Sequence, residues 1–400
     1  MAAGVSEYIE RVETDGGEVE SDIYVSESVE DLGDFFDDAS LVNIPTAYKA
    51  TKLYSIKPTD GSGDFTFARS TTGTRVNESG WIESVGVNAP RIDYLNGTPA
   101  LLLEPQRTNL FTQSNDFSGW TIVNGTLTAN FATSPDGTTN ASKINFTTGG
   151  ELYQTTTLSS GATYTLSFYA KVSSGTFDFT FGNIDNTLTS GTATTEWQRF
   201  EVTQVAASTS QDIKLDATST GDLLIYGFQV EAGAYATSYI PTSGTSVTRT
   251  SDSTYLDNLI SLGLITATEL TFFIDLNAES LIRDSASNEY RFGDIFSSSI
   301  FIYNNSSSIQ QNMSIYIRQD LSNTQIHTLQ QQHSKIAIKV QPNAINVFVN
   351  GVNVLNTTQN LDFTGNSDFF AIGSNRKSLM NKLLFFPTAL TDAECITLTT

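Results

Sequence analysis

The sequence predicts an all-β protein: two antiparallel β-sandwich (jelly-roll) domains, preceded by a short helical acidic N-terminal segment and an extended connector. Three observations carry this. Thr, Ser, Asn and Gly accompany 25 Phe and 15 Tyr, the mixture that half-buried pleated surfaces and tight turns require. Apolar residues alternate with period two through much of the chain, and turn residues punctuate it at the spacing of antiparallel strands.

Residues 1–45 hold thirteen acidic side chains and one basic one, Arg11, so this tenth of the chain carries more than half of the net charge of −22. Such a run is often a solvated tail. Here Tyr8, Val12, Val19, Ile23, Val25, Val29, Leu32 and Phe36 recur mostly at three- and four-residue steps, with Asp15-Gly16-Gly17 as a turn, which predicts two short helical stretches. Residues 1–45 are therefore expected to be an anchor in a larger assembly. Residues 46–112 hold only short segments broken by turns, such as Phe65 to Arg69 and Leu101 to Leu103, and predict an extended connector.

Residues 113–242 predict the first sandwich. Tyr164, Leu166, Phe168, Ala170 and Val172 fall on one face of a strand, with Thr163, Thr165, Ser167, Tyr169 and Lys171 on the other. Phe177, Phe179 and Phe181 repeat the alternation. Residues 243–254 read as a Thr- and Ser-rich linker. Residues 255–400 predict the second sandwich, in which Asn350-Gly351 marks a hairpin because both central positions of a type I′ turn need positive φ. Thr391-Asp392-Ala393-Glu394 opens a closing helix.

The charge balance disfavours nucleic acid and anionic membranes. No apolar run reaches the ~18 residues of a membrane span, and Met1 to Glu10 does not have the pattern of a signal peptide. The lone Cys395 excludes a disulfide framework.

Four stretches taken together, "YIERVETDGGEVES" (8–21), "FTFARSTTGTRVNESGWIESV" (65–85) with "PRIDY" (90–94), "LLLEPQRTNLF" (101–111) and "FQVEAGAYATSYIPT" (228–242), resemble virion proteins of tailed bacteriophages, particularly fibre, decoration and tail proteins of phages infecting Bacteroidetes. Residues 113–242 resemble the carbohydrate-binding jelly-roll modules of such proteins and of polysaccharide-degrading enzymes. Residues 255–400 resemble laminin-G or concanavalin-A-like sandwiches. The resemblance implies a fibre or decoration protein on the particle surface, assembled in the host cytoplasm, attached to other capsid or tail proteins through residues 1–45 and facing bacterial or mucus glycans. By analogy it implies a homo-oligomer, with a trimer as the form fibres often take.

Glycan binding needs flat aromatic faces beside amides or carboxylates that replace the water on sugar hydroxyls. The candidates are Trp120, Tyr153, Gln154, Tyr169, Gln229 and Glu231. Trp120 and Trp197 are expected rather to fill the sandwich core, and Gln229 and Glu231 equally suit holding a loop. No cofactor is required; Asn115 with Asp116, or Asp136 with Asn140, could hold Ca²⁺. No catalytic residues are assigned. The E-x-D-x-x-E strand used by glucanases of this fold is missing, His327 and His333 lack the H-E-x-x-H spacing, and no G-x-S-x-G elbow occurs. The expectation is a non-enzyme that adheres to glycans. The alternatives are a cementing protein without sugar binding and a polysaccharide-degrading tail enzyme.

Overall fold

The computed structural model describes residues 18–19, 32–183, 186–278, 290–293, 298–303, 314–319, 322–329, 333–358, 370–373 and 377–400. Nearly all of its regular structure is antiparallel strand, as the sequence predicts. Two helices of the described residues, Asp34–Asp38 and Asp392–Thr399, complete it. No helix among the described residues is long and apolar enough to cross a membrane.

The chain divides into two compact units, but not at the expected boundaries. One comprises the described residues of Met1–Glu78, Val85–Pro105 and Ser251–Thr400; the other comprises Ser79–Ser84 and Gln106–Thr250. The expected connector is therefore not separate. Within the first unit, Phe65–Ala68 pairs with Ser253–Leu256, and Ala100–Leu103 pairs with Ser378–Phe386. Within the second, Arg107–Asn109 pairs with Val247–Arg249. The expected linker 243–254 thus contributes strands as well. Partners more than a hundred residues apart leave no trace in local periodicity, which is why these segments read as loose.

The first unit is a sandwich of two sheets. Phe65, Phe67, Leu256, Phe370 and Ile372 of one sheet meet Leu101, Leu103, Leu270, Phe272, Ile274, Ile336, Ile338, Val347 and Phe385 of the other in one buried core. The outer face of the second sheet is buried too, because Leu32, Phe36, Val42 and Ile44 pack on Phe273, Phe348, Leu384 and Phe386 together with Cys395 and Leu398. This corrects the reading of 1–45 as one anchor: from Leu32 onward the chain is core of this unit, and Leu41–Asn43 pairs with Ser378–Phe386. Glu18–Val19 is a strand paired with Ala47–Tyr48, not helix. The remainder of the expected helical stretches, apart from Asp34–Asp38, lies outside the described residues. Asn350 and Gly351 take φ of 48° and 79° between strands Ala344–Val349 and Val352–Thr357, and Thr391 caps the closing helix in a reciprocal box with Glu394.

The first unit also buries a set of charges. Asp252 accepts from Arg69 Nη1 at 3.0 Å, from Arg91 Nη2 and from the Glu104 backbone N–H at 2.8 Å, while Arg91 Nη1 also reaches Glu104 Oε2 at 2.7 Å. All four side chains are fully buried. Two guanidinium and two carboxylate groups cancel, which is what makes such burial tolerable. Three of these residues lie in the stretches that carry the resemblance.

The second unit is built on a sheet of eight strands folded over its own core, beside the two-stranded pair Arg107–Asn109 and Val247–Arg249. The fold-over runs through the 19-residue strand Thr139–Thr157, whose first part pairs with Gly221–Ala232 and whose last part pairs with Ser210–Ala217. Leu166, Phe168, Ala170, Val172, Phe177, Phe179 and Phe181 fill the interior as their alternation predicts. Phe168 stacks on Phe228 with ring centroids 4.5 Å apart.

Candidate functional site

The outward residues of Thr163–Lys171 begin the site. Thr165 and Ser167 lie opposite Glu231 and Gln229, and the segment 234–242 crosses over them. Glu231 Oε1 accepts from Gln229 Nε2 at 2.7 Å and from the Thr237 N–H at 2.8 Å; its Oε2 accepts from Thr237 Oγ1 at 2.6 Å. Gln229 Oε1 accepts from the Ile240 N–H at 2.7 Å. Both side chains are fully buried. Gln229 and Glu231 therefore hold a strap and do not reach a ligand, because a buried carboxylate has to be satisfied by nearby donors.

Farther along the same face the strap ends and aromatic rings emerge. Between the pairs Ser167–Gln229 and Tyr169–Tyr226 the ladder shifts register, and Gly227 adopts φ of 67°, the signature of a glycine bulge. A Cβ there would stand 3.3 Å from the Tyr169 ring, so the missing side chain lets that ring lie on the backbone. Asn115 Oδ1 fixes the bulge by accepting from the Gly227 N–H at 2.8 Å. Tyr169 lies 6.2 Å from Tyr226, which lies 5.3 Å from Tyr239. Arg199 sits 5.5 Å above the Tyr169 ring and Lys171 5.3 Å above Trp197, both cation–π distances.

The turn Thr133–Thr138 organises these rings. Trp197 Nε1 donates to the Thr133 carbonyl at 3.1 Å, the Tyr226 hydroxyl donates to Asp136 Oδ2 at 2.9 Å, and the Trp81 ring lies against Gly137. Asp136 Oδ1 accepts from Ser134 Oγ and from the Thr138 N–H and hydroxyl, and Oδ2 also accepts from Asn140. Burial pulls its carboxyl upward, but these hydrogen bonds outweigh it and hold the group below its ordinary value. Burial keeps Tyr226 and Tyr239 as phenols well above the usual range. The result is an open aromatic face: Trp81 is 42% exposed, and Tyr169 and Trp197 are half-buried.

The other expected residues lie elsewhere. Trp120 is core, packed on Phe111, Phe117 and Phe228 with its Nε1 donating to the Gln113 carbonyl. Trp197, expected in that core, sits outside it. Tyr153 is half-buried and points outward beside Lys214, but it stands on the part of the folded sheet that pairs with Ser210–Ala217. Tyr153 and Tyr169 therefore occupy different outer faces and form no common site. Gln154 follows Leu152 inward by the two-residue period, and its Oε1 is buried without a hydrogen bond. As for Ca²⁺, Asp136 and Asn115 spend their oxygens on internal donors, Asp116 accepts from the Ser118 N–H, and no cluster of three or more His, Cys, Asp or Glu forms among the described residues. The sequence reading missed Trp81, Tyr226 and Tyr239. Trp81 carries no local sign that it joins a unit whose main segment is Gln106–Thr250.

No protein-family profile matches the sequence and no curated protein does either. Among solved structures the chain is similar to domain 4 of an extracellular arabinanase from Geobacillus stearothermophilus, solved with arabinotriose, at 15% identity over 42% of this chain and 84% of that one, with a TM-score of 0.31. It is similar to Trypanosoma rangeli sialidase at 8% identity over 36% and 25% of the two chains, TM-score 0.30. A third is the enzymatically active domain of a tailspike protein of bacteriophage CBA120, at 14% identity over 30% and 21%, TM-score 0.24. Scores at this level assign no ligand or reaction to the chain. The expectation of a non-enzyme is corrected nonetheless: a missing E-x-D-x-x-E strand excludes one arrangement of carboxylates rather than catalysis, and the similar structures include an arabinanase domain, a sialidase and an enzymatically active tailspike domain.

Proposed function

We propose that the protein is a glycan-binding component of a tailed-bacteriophage particle, a capsid- or tail-attached fibre or decoration protein that adheres to bacterial-surface or mucus glycans. The observation that carries the glycan reading is the aromatic face of the second unit, where Tyr169, Trp197 and Trp81 present part of their rings to solvent beside Lys171 and Arg199. Sugar C–H faces stack on such rings while the cations donate to hydroxyl oxygens. The virion reading rests on the four sequence stretches named above. Attachment to other virion proteins falls to residues before Leu32 other than the paired strand Glu18–Val19, because that strand and Leu32 to Ile44 are engaged in their own unit. Repetition on a particle would raise modest single-site affinity to useful avidity.

The test is a glycan array with the full chain, followed by titration of the best ligand against Tyr169→Ala and Trp197→Ala. Burying one ring contributes about 1.5–3 kcal/mol, so each variant should weaken binding roughly 10- to 100-fold. Wild-type affinity in both variants would refute the assignment of the face. Reducing-end release from bound polysaccharide, followed in parallel, reports whether binding is accompanied by cleavage.

A further inference from the structure

The first unit carries a groove of about 930 Å³ on the outer face of its second sheet, within the size range of small-molecule sites. The sheet contributes Asp275, Lys335 and Lys382, the helix Asp34–Asp38 contributes Phe35, and the closing helix contributes Ile396 and Thr397. Asp275 is the cross-strand neighbour of both Lys335 and Lys382. A register shift after Asp275 leaves Asn381 as an extra residue in Ser378–Phe386, the kind of bulge that re-aims a side chain. Asn381 Nδ2 consequently donates to Asp275 Oδ1 at 2.9 Å, and His333 Nε2 lies 2.7 Å from that same oxygen.

This arrangement leaves hydrogen-bonding capacity open at the groove. The Asp275 side chain is 91% removed from solvent by the 9% exposure that remains, yet both neighbours bind one oxygen and Oδ2 accepts nothing among the described residues. The Lys335 ammonium also has no carboxylate within ion-pair distance among the described residues, although Asp275 is its cross-strand neighbour. A fixed acceptor beside an unengaged donor suits two adjacent hydroxyl groups, one giving its proton to Oδ2 and the other accepting from Nζ. Phe35 and Ile396, the latter 40% exposed, offer apolar surface to a sugar ring. Asp34, Asp38 and Glu394 also line the groove, so carboxylates outnumber ammonium groups and an anionic ligand is disfavoured.

We propose that this groove binds a neutral oligosaccharide, with Asp275 and Lys335 reading a pair of neighbouring hydroxyls. The site is independent of the aromatic face of the second unit. The test uses the full chain carrying Tyr169→Ala and Trp197→Ala, so that the first proposed site is disabled, and titrates cellotetraose, xylotetraose, maltotetraose and trigalacturonate. At least one neutral tetraose should bind, and adding Asp275→Asn or Lys335→Gln should weaken it tenfold or more with unchanged circular dichroism. Lys335→Gln leaves the Asp275 hydrogen bonds intact and keeps the test valid if Asp275→Asn misfolds. The proposal is overturned if no neutral tetraose binds, if Lys335→Gln binds like its parent, or if trigalacturonate binds most tightly. Failure of the aromatic-face assignment shows separately, as equal affinity of wild type and the Tyr169 and Trp197 variants.

Discussion

Replacing Asp252 with Asn tests the buried charge set of the first unit. The substitution keeps the shape and removes one of two anions, leaving Arg69, Arg91 and Glu104 with a net positive charge and no exposure to water. Coulomb's law at the 3.0 Å separation of Arg69 and Asp252, with an effective dielectric of about 20, gives about 5.5 kcal/mol for that pair alone. Part is retained, because the Asn oxygen still accepts and Arg69 keeps its bonds to the Thr71 and Gly86 carbonyls. A net loss of ~3–5 kcal/mol is expected, the range for breaking a buried pair. At a urea slope near 3 kcal/mol/M this moves the midpoint by roughly 1–1.7 M. All three tryptophans, Trp81, Trp120 and Trp197, belong to the second unit, so their emission reports that unit while far-ultraviolet circular dichroism reports both. The variant should shift the dichroism transition by that amount. A midpoint change below about 0.3 M would refute the reasoning.

Two further outcomes follow from single groups. Burial pushes the Cys395 thiol up to about 12, and its side chain is fully enclosed, so an aromatic disulfide reagent at pH 8 should find no thiol in the native protein and one per chain in denaturant; native reactivity would contradict this packing. The Asp136 carboxyl titrates below its ordinary value of 3.8, so its hold on the Thr133–Thr138 turn is complete above that value and fades as pH falls through the lower folded one. Acid titration of Trp197 emission should show this transition in the wild type and lack it in Asp136→Asn.

Alternation was legible wherever a strand buries one face. Leu166, Phe168 and Ala170 point inward and Tyr169 outward because side-chain direction is set by the strand itself, and Asn350-Gly351 and Thr391 to Glu394 act through their own backbone. These features need no distant partner. Outward direction alone, however, does not decide between exposure and cover. Gln229 and Tyr169 share an outward face, and only the strap at 234–242 separates a sealed amide from an open ring.

The amino-acid order therefore determined strand character, turn positions and the inward set of the second unit, since each depends on neighbours within a few residues. The tertiary structure decided which strands join which unit, and which aromatic rings lie together. Trp81 meets the turn at Gly137, Arg69 meets Asp252, and Asp275 meets Asn381, all through pairings and packing between segments far apart in the chain. Their energies come from burial and charge cancellation that exist only once those segments have come together.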